Sequence, residues 1–184
     1  MTSAASVGGD ERLRLFLAYV LPDATAAALA GWAAAELEGR GRLVAERDLH
    51  VTLAFLGSRP ASDLPRVADV LRGAAAGAGA PRLELACWRE TRSAGMVVLR
   101  DAAGAAEPFA RLLHERLAAE GLYRPERRPW LPHVTVLRYR ARPRVAPPLP
   151  QLPAFAPSDA AAFLSRLHPS GASYEVLESF SLGG

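Results

Sequence analysis

Lysine is absent from this chain, so all 22 of its basic residues are arginine. Abundant alanine, arginine, glycine and proline accompany this absence, which is typical of a GC-rich genome and excludes no function. The net charge is only +3 at pH 7 with histidine neutral. That mild charge is not the balance of a dedicated chromosomal DNA binder.

Cysteine is nearly absent as well. Cys87 stands alone, which excludes an internal disulfide and the paired Cys-x-x-Cys spacing of many metal sites. Because Cys87 lies in an apolar run, we expect a small core residue. A single thiol fits a reducing compartment, and we predict a cytoplasmic protein.

Long hydrophobic runs are lacking too. Residues 12–21, RLRLFLAYVL, fall well short of the roughly 20 apolar residues that span a bilayer. Two acidic residues precede this run, whereas a signal peptide begins with positive charge. We therefore predict a buried strand, no membrane segment, a flexible tail over residues 1–10 and a single two-lobed domain over residues 11–184.

Hydrophobic residues make up 50% of the chain, enough for a sizeable core. Their spacing predicts seven strands and three helices. The strands are expected at residues 12–21, 49–56, 82–91, 96–100, 133–139, 160–166 and 174–182, and the helices at residues 23–38, 62–76 and 105–120. This order predicts an α+β fold with an internal duplication and a cleft between two lobes.

Two nearly identical tetrapeptides carry the chemistry: residues 50–53 read HVTL and residues 133–136 read HVTV. Side chains alternate between the two faces of a strand, so each motif can bury its apolar residues and present an imidazole and a hydroxyl on the other face. If the two strands lie side by side or across a cleft, two histidines and two threonines converge.

This set of side chains suits phosphodiester cleavage. One neutral imidazole can take a proton from the attacking oxygen while one imidazolium donates a proton to the leaving oxygen. Threonine hydroxyls can bind the non-bridging oxygens and align the phosphorus. We predict His50 and His133 as catalytic and Thr52 and Thr135 as phosphate-binding, without a metal or cofactor.

Two other interpretations of the histidines stay open. They could be structural, although the repeated motif makes this less favourable, or they could hold a metal, for which carboxylates at ligand spacing are lacking. His114 on a helix and His168 in a turn are expected to be bystanders. Residues 124–144 contain seven arginines and a single acid, Glu126, which predicts either an anion-binding patch or a solvated loop.

Four segments in this order resemble one known family, the two-histidine (2H) phosphoesterase superfamily, and within it the RNA 2′,3′-cyclic phosphodiesterase group, also called LigT or 2′-5′ RNA ligase-like. The segments are residues 12–22 (RLRLFLAYVLP), 49–57 (LHVTLAFLG), 130–138 (WLPHVTVLR) and 163–182 (FLSRLHPSGASYEVLESFSL). The resemblance implies two-lobed, pseudo-duplicated antiparallel sheets, with helices outside and a central cleft. It also implies cleavage of a terminal 2′,3′-cyclic phosphate to a 2′-phosphomonoester, which some relatives reverse to make a 2′-5′ linkage.

The resemblance further implies that His50 is the general acid and His133 the general base. It suggests that Arg138 binds phosphate, although strict alternation places Arg138 on the core face unless the strand ends or bulges. Phe55 would likewise share the core face, and it is either a base-stacking residue or a core aromatic. Tyr174 either lines the cleft mouth or caps the last strand.

The expected partners are RNA ends or cyclic nucleotides, with no protein partner and a monomeric state. An alternative substrate is a small nucleotide such as ADP-ribose 1″,2″-cyclic phosphate, which a closed pocket would favour over a long basic track. A non-catalytic binder of RNA ends or nucleotides is a further alternative. The intact threonine in both motifs argues against it.

Overall fold

The computed structural model describes residues 11–169 and 171–182; the tail predicted over residues 1–10 lies outside them. Within this part of the chain the predicted α+β class is confirmed. The strands are β1 Arg12–Val20, β2 Arg42–Leu43, β3 His50–Pro60, β4 Leu83–Glu90, β5 Ala94–Asp101, β6 His133–Arg138, β7 Asp159–His168 and β8 Gly171–Ser181. The helices are α1 Asp23–Leu37, α2 Leu64–Ala75 and α3 Ala106–Ala119. Only β2 was not predicted, because a two-residue strand has no periodic pattern.

All eight strands belong to one antiparallel sheet in the order β4-β5-β6-β3-β1-β7-β8, with β2 paired to β6. The half with β4, β5 and β6 joins the half with β3, β1, β7 and β8 where β3 lies beside β6. Val51 is the residue of β3 that pairs with β6, opposite Val134. The two His-Val-Thr segments therefore form the joint between the halves.

Helices cover one face of this sheet. α1 packs against β6, α2 against β7 and β8, and α3 against β3, and their apolar residues share one core with the sheet. Strand β1 is buried on both faces, as its continuous apolar run predicts: Leu15 and Leu17 join the helical core, whereas Phe16 and Ala18 join a smaller cluster. We call the face with this smaller cluster the open face. No helix of the described chain is long and apolar enough to cross a bilayer.

The predicted burial of Cys87 is wrong, since its side chain is exposed. Strand β4 lies at the edge of the sheet, and its pairing with β5 shifts between Leu85 and Cys87. The shift interrupts the alternation of side chains along β4. Trp88 consequently packs against the core in place of Cys87.

Candidate active site

The register at the joint places each histidine beside the threonine of the other motif. Val51 and Val134 are opposite each other and fully buried. Their chain neighbours project to the opposite, open face, where residues facing each other across an antiparallel pair have Cβ atoms about 5 Å apart. The register thus sets two cross-strand pairs: His50 with Thr135, and His133 with Thr52. All four of these side chains are half-buried.

Both imidazoles are held by the same hydrogen bond. Nδ1–H of His50 donates to the carbonyl oxygen of Asp48 over 2.7 Å, and Nδ1–H of His133 donates to that of Leu131 over 2.8 Å. A carbonyl oxygen can only accept, so the proton is on Nδ1 in both rings and Nε2 is the nitrogen left for a substrate. Neither Nε2 has a hydrogen-bond partner among the described residues.

His50 packs against aromatic rings of the open face. Its ring centroid lies 4.8 Å from that of Phe16 and 5.9 Å from that of Phe163. Tyr174 meets it edge-on, with centroids 5.1 Å apart. The sequence left the position of Tyr174 open, and the structure places its ring directly against a predicted catalytic histidine.

This environment disfavours the charged form of His50. Burial lowers the pKa of His50 from its usual 6.5 to about 4. The bond to the Asp48 carbonyl opposes this effect, and the charges of Arg138 and His133 add to it. His50 is therefore neutral at pH 7 when no anion is bound.

Phe55 lies on the open face, so the alternation that placed it with the core is wrong. The pairing of β3 with β1 skips Leu53, which leaves a one-residue bulge. Leu53 and Ala54 are both buried, and the residue after them changes face. Phe55 is consequently 43% exposed, and the guanidinium of Arg14 lies 4.6 Å from its ring centroid.

A matching bulge turns Arg138 to the open face. The pairing of β6 with β5 skips Val136, and both Val136 and Leu137 are fully buried. Strict alternation is therefore wrong here too, and the bulge that a phosphate role for Arg138 requires is present. The positive charge of Arg138 contributes to the lowered pKa of His50, so this side chain influences the candidate site.

Two side chains that the sequence did not single out for the site hold the bulge of β3. The indole Nε1–H of Trp130 donates to the carbonyl oxygen of Thr52 over 2.9 Å, and Nε2 of His114 bonds that of Leu53 over 2.7 Å. His114 was expected to be a bystander, but it bonds the backbone of β3 next to Thr52 and lines the same groove as His133. His168 bonds the hydroxyl of Ser173 in the β7–β8 hairpin, outside the site.

The arginines of residues 124–144 do not form one patch. Arg128 lines a groove with Phe55 and His133, whereas Arg142 pairs with Glu90 over 2.6 Å. Arg138 and Arg140 line a different groove. In the part of the chain that the structure describes, no three histidine, cysteine or carboxylate side chains are grouped closely enough to hold a metal ion.

Comparison with known proteins points to one family. Residues 21–168 match the 2′-5′ RNA ligase superfamily. An RNA 2′,3′-cyclic phosphodiesterase of Thermus thermophilus is 36% identical over 188 residues, which cover 94% of this chain and 91% of that protein. The crystal structure of TT0787 of Thermus thermophilus has a TM-score of 0.79 at 31% identity, covering 94% of this chain and 99% of that one. E. coli LigT complexed with NADP+ has a TM-score of 0.76 at 27% identity, covering 95% and 100%.

The family match and the fold are those of the two-histidine phosphoesterases, which confirms the enzyme class expected from the sequence. Within that class, the chain belongs to the 2′-5′ RNA ligase superfamily.

Proposed function

We propose that this enzyme opens the 2′,3′-cyclic phosphate at an RNA 3′ end and leaves a 2′-phosphomonoester. The observation that carries the proposal is that each imidazole lies opposite the threonine of the other motif, with its Nδ1 bonded to a carbonyl oxygen. Nε2 of each ring has no hydrogen-bond partner among the described residues and is left for the substrate. The name of the Thermus thermophilus relative supports the substrate class. So does the LigT complex with NADP+, because that nucleotide carries a 2′-phosphate.

In this reaction His133 takes a proton from water, and the resulting oxygen bonds to phosphorus. The bond from phosphorus to the ribose 3′ oxygen breaks, and His50 protonates that oxygen. Because burial lowers the pKa of His50 to about 4, His50 gains this proton when the negatively charged phosphate lies beside it. Each proton transfer contributes about 10²–10⁴ in rate. The two imidazoles supply both transfers, so the reaction needs no metal ion for them.

The remaining open-face side chains bind the substrate. Thr52 and Thr135 donate hydroxyl hydrogen bonds to the non-bridging oxygens, and Arg138 offsets the charge that develops on them. Phe55 presents an exposed ring for stacking of the terminal base. Tyr174 closes the site beside His50.

The test uses a short RNA that ends in a 2′,3′-cyclic phosphate, with EDTA present, and identifies the product by phosphorus NMR. We expect turnover to the 2′-phosphate. A metal requirement or a 3′-phosphate product would contradict the mechanism. Faster turnover of ADP-ribose 1″,2″-cyclic phosphate would favour the small-nucleotide alternative, and tight RNA binding without any turnover would favour a binding protein.

The same groups would serve 2′-5′ ligation, in which a 5′-hydroxyl of a second RNA replaces water as the attacking group. His133 would then take the proton of that hydroxyl, and the 3′ oxygen would leave as before. Adding an RNA acceptor with a 5′-hydroxyl to the assay should give a longer product with a 2′-5′ linkage. Hydrolysis alone at saturating acceptor would limit the enzyme to the hydrolytic reaction.

A further inference from the structure

Four arginines line a groove beside the candidate active site, between the α1–β2 loop, the end of β6 and the β7–β8 turn: Arg40, Arg42, Arg138 and Arg140. We call it the Arg groove. We propose that the Arg groove binds backbone phosphates of the RNA upstream of the cyclic end, so that the enzyme engages an RNA chain rather than a single nucleotide. This inference rests on the proposed function and names a binding site beyond the reacting phosphate.

The groove is built by the short strand β2. Arg42 pairs with Arg138 across β2 and β6, and the next pair is Leu43 with Leu137. Since Leu137 is fully buried and Leu43 packs against the same core, the two arginines project from the open face. Their position continues the face that carries both catalytic histidines.

This arrangement is unfavourable without an anion. Like charges directly opposite each other in an antiparallel pair destabilise a sheet. The ion pairs among the described residues include none of the four groove arginines. A guanidinium can bind a phosphate by two hydrogen bonds, so a row of phosphates would relieve the repulsion between Arg42 and Arg138.

The β7–β8 turn positions one of these side chains. A Cβ atom at Gly171 would lie 2.5 to 2.8 Å from Cζ and both terminal nitrogens of Arg42. The bare backbone at Gly171 therefore allows the guanidinium to rest against the turn, where it loses less freedom on binding than a solvated side chain.

The groove also lies in the right place for an RNA strand whose end is in the candidate active site. The positive charge of Arg138, which lines the groove, contributes to the lowered pKa of His50. The groove has a volume of about 540 Å³. Arg42 and Arg138 are directly opposite each other, with backbones about 5 Å apart, and an RNA strand carries one phosphate for each nucleotide. The four arginines therefore offer more guanidinium groups than a single phosphate can use, and a mononucleotide cyclic phosphate has no further phosphate for them.

The experiment compares kcat/KM for cytidine 2′,3′-cyclic phosphate and for a four-nucleotide RNA with the same end, from 50 to 200 mM salt. The variants are Arg42→Gln, Arg140→Gln and the control Arg111→Gln, which removes an exposed charge from α3 on the helical side. We expect each groove variant to lower kcat/KM for the RNA about tenfold. The slope of log kcat/KM against log salt should become shallower by about 0.7 for each phosphate that the variant no longer binds.

The mononucleotide should change less than twofold in the groove variants, and Arg111→Gln should leave both substrates unchanged. Equal losses on both substrates, or no loss on RNA, would overturn the proposal while the phosphodiesterase function stands. An equal loss on ADP-ribose 1″,2″-cyclic phosphate would instead assign the groove to a diphosphate nucleotide and overturn the RNA assignment.

If neither substrate turns over, the proposed function fails, and fluorescence anisotropy with a four-nucleotide RNA ending in a 2′-phosphate tests the groove by itself. Weaker, less salt-dependent binding by Arg42→Gln would support it, and unchanged binding would overturn it. Urea unfolding distinguishes a structural role of Arg42 from a role in RNA binding. Because Arg42→Gln removes the repulsion between Arg42 and Arg138, we expect that it does not lower the free energy of unfolding. A clear loss of stability would contradict the argument from repulsion.

Discussion

Phe55 and Arg138 occupy equivalent positions, because each follows the histidine of its motif by five residues and a one-residue bulge turns each onto the open face. One motif thereby presents an aromatic ring and the other a guanidinium. The duplicated strand has the same backbone irregularity in both copies. We infer that the pair divides substrate binding, with Phe55 for the base and Arg138 for the phosphate.

Replacing Phe55 tests this division. Phe55→Leu should raise KM for a cyclic mononucleotide about tenfold with little change in kcat, since loss of one base stack costs about 1–3 kcal/mol. Phe55→Tyr should keep the wild-type KM. Phe180→Leu is the control, because Phe180 stacks under Arg72 away from the site. A lower kcat with unchanged KM would contradict a base-stacking role.

The threonines give a second prediction. Thr52→Val and Thr135→Val keep a β-branched side chain that fits a strand but remove the hydroxyl. Loss of one donor to the developing charge should lower kcat about 10²-fold, with no loss in the free energy of unfolding. Thr25→Val on α1 is the control and should leave kcat unchanged. Full kcat in either site variant would exclude that hydroxyl from the reaction.

Alternation along the strands predicted the four polar residues of the two motifs, whereas Arg138, Phe55 and Tyr174 were candidates only through the family resemblance. His50 and Thr52 follow from alternation, which holds at the start of β3. The positions of Phe55 and Arg138 do not follow from alternation, because a bulge depends on how β3 and β6 pair with their neighbouring strands. The sequence of either strand alone does not determine that pairing. Arg42 was missed for the same reason, since β2 exists only through its pairing with β6.

Trp130 makes a contact that sequence reasoning could not predict, because its partner is distant along the chain. It bonds the Thr52 carbonyl across 78 residues of sequence, so its proximity to the second motif gives no indication of its contact with the first. Its indole ties the approach to β6 to the bulged strand β3. We therefore regard Trp130 as a positioning residue.

Trp130→Phe keeps a ring and removes the N–H donor. We expect a loss of about 1 kcal/mol in the free energy of unfolding and a severalfold drop in kcat, because the bonded residue is Thr52. Trp32→Phe is a matched control: its Nε1–H donates to the Pro148 carbonyl over 2.8 Å, in an exposed position outside the site. Equal kcat in the two variants would show that the Trp130 bond is only structural.

The low pKa of His50 predicts how stability depends on pH. The unfolded chain binds a proton at His50 below pH 6.5, whereas the folded chain binds it only near pH 4. The neutral ring therefore stabilises the fold above pH 6.5, and this contribution is lost as the pH falls from 6.5 to 4. The loss amounts to about 3 kcal/mol.

Urea unfolding of the wild type and of His50→Gln at several pH values measures this contribution. The difference between the two free energies of unfolding should shrink toward acid pH, because glutamine does not titrate. A difference that stays constant from pH 7 to pH 4 would contradict the burial effect on His50.

The central claim is that two histidines divide the proton transfers, and replacement of the ribose 3′ oxygen by sulfur tests it most directly. A thiolate leaves without protonation, so this substrate needs no general acid. On the natural cyclic phosphate, His50→Ala and His133→Ala should each lose about 10²–10⁴ in kcat. On the 3′-sulfur substrate, His50→Ala should recover most of its rate and His133→Ala should not. Recovery by His133→Ala would reverse the assignment of acid and base, and full activity of either variant on the natural substrate would contradict the two-histidine mechanism.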